Sequence, residues 1–124
     1  MIGNLFYKKY KERARVVVHA RLQYFNSYYN LPYKKVFIKN TKTRWGSCSA
    51  KGNLNFSYKI VFLEPAMQDY LIVHELCHLK EFNHSKAFWS LVSEQIPNYR
   101  QLHNELKHTS MQTWLSRLRS LSRA

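Results

Sequence analysis

The chain has 124 residues, 45% hydrophobic and 15% aromatic, with three Gly and three Pro. This suits one folded domain and excludes two-domain, collagen-like, linker-like and disordered classes. Twenty Lys and Arg against seven Asp and Glu give +13, unevenly: residues 1–51 hold 12 of the basic side chains and one acid, Glu12, whereas residues 52–124 net only +2. Such a field attracts polyanions such as nucleic acid or nucleotides, or merely keeps a small protein soluble. No run approaches the roughly 20 apolar residues of a membrane span. Without a secretory signal at the N-terminus, and with only Cys48 and Cys77, the expected setting is the cytoplasm with both thiols free.

From Asn4 to Tyr29 there is neither Gly nor Pro, and Phe6, Tyr10, Ala14, Val17, Ala20, Tyr24 and Tyr28 recur at steps of three and four. This predicts one long amphipathic helix over 4–29, basic on its other face through Lys8, Lys9, Lys11, Arg15 and Arg21, and ended by Asn30-Leu31-Pro32. Residues 34–62 turn β-branched and aromatic, which predicts a small, mostly antiparallel sheet with strands at 36–38, 43–45 and 54–61. Ala50-Lys51-Gly52-Asn53 reads as the hairpin turn between the last two, and 54–61 as an edge that an extended peptide can join. Pro65 then opens a helix over 65–80. Further helices are expected at 85–96, 98–107 and 110–121.

Chemistry concentrates in His74-Glu75-Leu76-Cys77-His78. Four helical residues turn the chain by about 400° and advance it about 6 Å, so both imidazoles reach one metal ion. Glu75, next to the first ligand, is placed to act on a metal-bound water as general base. A catalytic site needs a third ligand, with His84, His103, His108 and the remaining carboxylates as candidates. On an unbroken helix His84 would lie about 15 Å beyond His74, so its use requires the helix to stop between them. Asn83, in a left-handed conformation, and Ser85, as the next N-cap, are the expected means.

The run Thr43-Arg44-Trp45-Gly46-Ser47-Cys48-Ser49 resembles the YgjP-like metallopeptidase domain, related to the SprT-like zinc peptidases. So do Gly52-Asn53-Leu54-Asn55, Pro65, Asp69-Tyr70, the His-Glu-Leu-Cys-His segment, Asn83-His84-Ser85 and Phe88-Trp89. The resemblance implies an α+β zincin-like fold, a small sheet packed on an active-site helix with the long basic helix across it. It assigns zinc to His74, His78 and His84 and the general base to Glu75. The metzincins share the spacing of the third His, but their glycine would fall at Glu81 and no Met-turn follows, which argues against that fold.

The function expected is zinc-dependent hydrolysis of peptide bonds in extended or unfolded protein, with Arg44, Trp45 and Asn55 as candidate substrate contacts. Arg44 would polarise a carbonyl or hold a phosphate. Trp45 is read as more a packing residue than a contact, and Phe88 and Trp89 as packing the third helix against the second. Asp69 and Glu81 are candidates to orient ligand imidazoles. His19, His103 and His108 are read as ordinary. Two rivals remain: a metal-dependent nucleotide phosphoanhydride hydrolase, for which residues 1–51 form a phosphate clamp, and a nucleic-acid-binding module with a non-catalytic zinc site.

Overall fold

The computed structural model describes residues 2–109; the helix expected at 110–121 lies outside them. Helix α1 spans Ile2–Tyr29. It ends where Asn30 takes a left-handed φ of 51°, a conformation Asn tolerates better than most residues. The Asn26 side chain holds this exit, donating to the Leu31 carbonyl at 2.9 Å and accepting from its N–H at 2.8 Å. The buried stripe of α1 follows the expected one through Phe6, Tyr10 and Ala14, which pack on the core, and then departs from it: Val18, Leu22 and Phe25 are buried, whereas Tyr24 and Tyr28 are exposed. Apolar neighbours such as Val16-Val17-Val18 offer more than one three-to-four spacing, so periodicity alone picks the wrong continuation after Ala14. Arg21, expected on a solvated basic face, forms a two-pronged ion pair with Asp69 at 2.8 and 3.0 Å.

Strands β1 (Val36–Lys39), β2 (Gly46–Cys48) and β3 (Leu54–Ser57) form a mixed sheet in the order β1-β3-β2. β3 pairs parallel with β1 and antiparallel with β2. The predicted hairpin is present, Gly52 supplying a φ of +89° that strains other residues. The loop after β1 carries the chain to the far edge before that hairpin brings β3 back into the middle. The sheet is therefore less antiparallel than expected, and β3 is its central strand, not an edge. The second strand starts at Gly46, three residues later than predicted. Val36 and Ile38 of β1 share one face with Leu54 and Phe56 of β3, and Ile38, Leu54 and Phe56 are buried in the core. Phe37, Lys39, Asn55 and Ser57 share the opposite face, as does Ser47, the partner of Asn55.

The expected third strand stops at Ser57, where a 3-10 turn, Tyr58–Phe62, takes over. The Ser57 hydroxyl caps it by accepting from the Lys59 N–H, and Tyr58, Lys59 and Ile60 are buried in succession, a pattern no half-buried strand gives. Helix α2 (Pro65–Cys77) follows, then α3 (Lys86–Ser93) and α4 (Tyr99–His108). α2 is the core helix: Tyr70, Leu71, Ile72, Val73, Leu76 and Cys77 are all buried. α1 packs on the 3-10 turn and on α2, with Tyr10 edge-on to Phe62 at 4.7 Å, while the Tyr29 hydroxyl donates to the Leu91 carbonyl of α3 at 2.7 Å. Cys48 and Cys77 are both free thiols. No helix among the described residues is long and apolar enough to cross a membrane.

Candidate active site

α2 holds His74 in its last turn, and His78 is the cap residue just past it. The helix unwinds through Leu79, Lys80 and Glu81, whose N–H groups donate to the carbonyls of Leu76, Cys77 and Cys77 at 3.0–3.1 Å. The chain then reverses to bring His84 back. Asn83 does not take the left-handed conformation expected of it; Asn30 is the non-glycine residue with a positive φ among those described. The reversal needs no such residue because the turn after His78 tightens in steps. Ser85 caps α3 as anticipated, accepting from the Phe88 N–H at 3.3 Å.

The Nε2 atoms of His74, His78 and His84 form a triangle with sides of 3.1, 3.2 and 3.3 Å. A tetrahedral ion with bonds of about 2.0–2.1 Å requires edges of about 3.3–3.4 Å, so the three nitrogens fit one metal ion and leave its remaining position to the cleft. His78, with Nε2 turned inward, donates from Nδ1 to the Glu81 carbonyl at 3.0 Å. Glu81 thus orients the His78 ring through its backbone rather than its carboxylate. Asp69, held by Arg21, is not the group that orients His74.

That part falls to Tyr70, one helical turn before His74. Its hydroxyl lies 3.1 Å from His74 Nδ1 and 2.8 Å from Nδ1 of His103 on α4. With Nε2 of His74 facing the metal position, Nδ1–H donates to the Tyr70 oxygen, which donates in turn to His103. The i, i+4 relation of Tyr70 to His74 was visible in the sequence. The part of His103, 33 residues from Tyr70, was not. Phe88 lies against all three ligand imidazoles, stacked on His78 at 4.4 Å and tilted or edge-on to the other two at 5.1 Å. Burial holds His74 neutral, its pKa pushed down to about 3, which leaves its nitrogen free to bind a metal.

Glu75 points toward β2. It is buried, and burial raises its carboxyl to about 8 against the opposing charge of Arg44. A Cβ on Gly46 would lie 3.1 Å from Glu75 Cγ and 3.2 Å from its Oε2, so glycine is what lets the carboxylate lie against the strand. A cleft of about 440 Å³ opens beside these groups, its lining including Arg44, Trp45, Cys48, Phe82, His103 and Leu106. Arg44 and Trp45 therefore stand with Glu75 and the histidines. Asn55 lies on the opposite face of β3 and lines a smaller adjoining pocket instead. His19 on α1 and His108 at the end of α4 are absent from the cluster.

A family profile described as "YgjP-like, metallopeptidase domain" matches residues 2–109. The chain belongs to this family. It is also similar to the UTP pyrophosphatase of Escherichia coli (strain K12), 42% identical over 48 residues, a stretch that covers 39% of this chain and 26% of that protein. The chain thus matches about a quarter of that relative's length. Among solved structures, a metallopeptidase zymogen, abylysin of Pyrococcus abyssi, superposes with a TM-score of 0.65 at 24% identity, covering 72% of this chain and 90% of that one. The YgjP-like chain therefore has the α+β fold of that metallopeptidase, and its three histidines form a candidate metal site.

Proposed function

We propose that this YgjP-like chain is a zinc-dependent peptidase acting on extended or unfolded polypeptide. The observation that carries the reading is the bare edge of β2 beside the metal site. The bonds from Ser57 N–H to the Trp45 carbonyl and from Ser49 N–H to the Asn53 carbonyl, both 2.9 Å, bracket β2. In that register Gly46 and Cys48 turn their peptide groups away from β3. Among the described residues those groups have no partner, and both residues line the cleft. An extended peptide adding there as a fourth strand is held by its backbone, whatever its sequence.

Three imidazole donors in this geometry suit zinc. A zinc ion there supplies Lewis acidity, polarising the scissile carbonyl and acidifying water. Glu75 accepts the proton of the attacking water and delivers it to the departing amine. Its burial makes it a stronger base than an exposed carboxylate, and Arg44 offers positive charge to the carbonyl oxygen. Tyr70 and the Glu81 carbonyl keep the His74 and His78 rings in orientation. A cytoplasmic setting suits the two unbridged thiols.

A second reading, hydrolysis of a nucleotide phosphoanhydride, has its own support in the relative named a UTP pyrophosphatase and in the cationic Arg44 at the cleft. A structural zinc in a nucleic-acid-binding module is less well supported, because such sites take four protein ligands and this cluster offers three. The test incubates the zinc-loaded protein with an unfolded protein and, separately, with nucleoside triphosphates. The peptidase reading expects new peptides that vanish with Glu75→Gln, a variant that retains the metal. Release of pyrophosphate from UTP beside intact polypeptide would replace it with the second reading.

A further inference from the structure

Behind β2, on the sheet face opposite the core, lies a second pocket of about 200 Å³. Its floor is the polar sheet face, Lys39 of β1, Asn55 and Ser57 of β3 and Ser47 of β2, and the loop between β1 and β2 closes it with Thr41 and Arg44. Two side chains there are cations, Ser47, Asn55 and Ser57 carry hydroxyl or amide donors, Thr41, Gly46 and Phe56 complete the lining, and none of the lining residues is acidic. Neither Lys39 nor Arg44 lies within ion-pair distance of a carboxylate among the described residues. The Thr41 hydroxyl donates to the Arg44 carbonyl, which holds the loop over the pocket. The Ser57 hydroxyl accepts from the Lys59 N–H and keeps its own proton to donate.

This composition defines the occupant. Two unneutralised cations among neutral donors repel metal ions and apolar groups, and they satisfy a compact multivalent oxyanion through charge-assisted hydrogen bonds. A planar carboxylate needs one cation and two donors; a phosphoryl group, with more charge and three acceptor oxygens, uses a wider set. Position adds the second argument. Arg44, Gly46 and Ser47 line both this pocket and the cleft over the histidines, so an anion held here lies across a single strand from the metal site. The strongly basic first half of the chain feeds the same place, since Lys39 and Arg44 belong to it.

We propose that the pocket is a binding site for phosphoryl groups, with Lys39 and Arg44 as its cationic jaws. Its use by the terminal phosphates of a nucleoside triphosphate rests on the nucleotide reading above. Inorganic phosphate and pyrophosphate are titrated into the zinc-loaded protein with backbone amide shifts as readout, and Lys39→Met is compared with Lys51→Met. Both variants remove one positive charge, but Lys51 lies on the hairpin away from the pocket lining. The site predicts shifts centred on Ser47, Asn55 and Ser57. It also predicts an affinity loss of about tenfold or more in Lys39→Met, less than about twofold in Lys51→Met, and unchanged zinc content in both. Equal losses in the two variants, or shifts spread over α1, would overturn the proposal in favour of a diffuse field. UTP turnover separates the two ideas. Turnover with the same KM in both variants overturns the pocket and keeps the nucleotide reading. Absence of turnover with phosphate affinity still lost in Lys39→Met keeps the pocket and removes that reading.

Discussion

Gly46→Ala tests how the base is held. The added methyl carbon would sit 3.1 Å from the Asn55 carbonyl oxygen, 3.1 Å from Glu75 Cγ and 3.2 Å from Glu75 Oε2. Carbon atoms rest at about 3.5–4.0 Å from their neighbours, so a few tenths of an ångström must be found. The Asn55 carbonyl is anchored in the central strand; the Glu75 side chain is the part that yields. Misplacement of a reacting group by about 1 Å costs roughly 10²-fold, so a shift near half that size implies about a tenfold fall in kcat. Overpacking costs about 1–3 kcal/mol, offset by about 0.5–1 kcal/mol from the stiffer unfolded chain, for a net loss near 1 kcal/mol. At about 2.1 cal/mol/K per residue, that lowers Tm of this chain by about 4 °C. Hydrolysis, metal content and thermal unfolding of the same preparation give the answer. A full rate in the folded variant would refute the close packing of Glu75 on β2, and metal loss in step with activity would show that the methyl disturbs the histidines instead.

Tyr70→Phe removes the hydroxyl between His74 and His103 and should weaken metal affinity about 10–100-fold by competition with a chelator, with a smaller loss for His103→Ala. Ser85→Ala should cost about 1 kcal/mol in urea unfolding through the lost cap on α3, whereas Asn83→Val should leave metal affinity within about twofold of the parent, its backbone lying outside the left-handed region. In the metal-free protein, stability from protonated Glu75 is present below its ordinary pKa of 4.5 and is lost as pH rises toward about 8. Stability from neutral His74 is present above its ordinary 6.5 and is lost as pH falls toward about 3. The two slopes cancel between 4.5 and 6.5, so urea unfolding should show a stability plateau over that window and a decline from pH 6.5 toward pH 8 of at most about 1.4 kcal/mol per unit. Glu75→Gln should abolish that decline.

The histidine triangle was legible because two of its corners stand one helical turn apart, in the last turn of α2 and at its cap, where spacing is geometry, and the third follows within a short reversal. The hairpin at Gly52 was legible for the same local reason. What escaped were choices made between distant segments. Whether β1 lies beside β2 or β3 depends on where the loop over 40–45 travels, and no period in the chain records that. The buried stripe of α1 is chosen by the 3-10 turn and α2, which select Val18 and Phe25 from several adjacent apolar residues. Asn83 misled because a residue able to adopt a rare conformation was taken as one obliged to. The partner of Asp69 depended on Arg21, 48 positions away, across an interface that exists only after folding.

The first and last histidines of the triangle stand ten positions apart, and no ligand comes from the sheet. The carboxylate beside them, by contrast, is set by Gly46 and Arg44 from the sheet and its loop. The site is therefore two half-assemblies of different reach in the chain. One depends on α2 and the reversal behind it; the other depends also on the docking of the three strands. Under the proposed function, a protein whose sheet has loosened would still hold its ion while Glu75 hung out of register. On that proposal, occupancy by metal would report on a short stretch of backbone, and only turnover would report on the whole molecule.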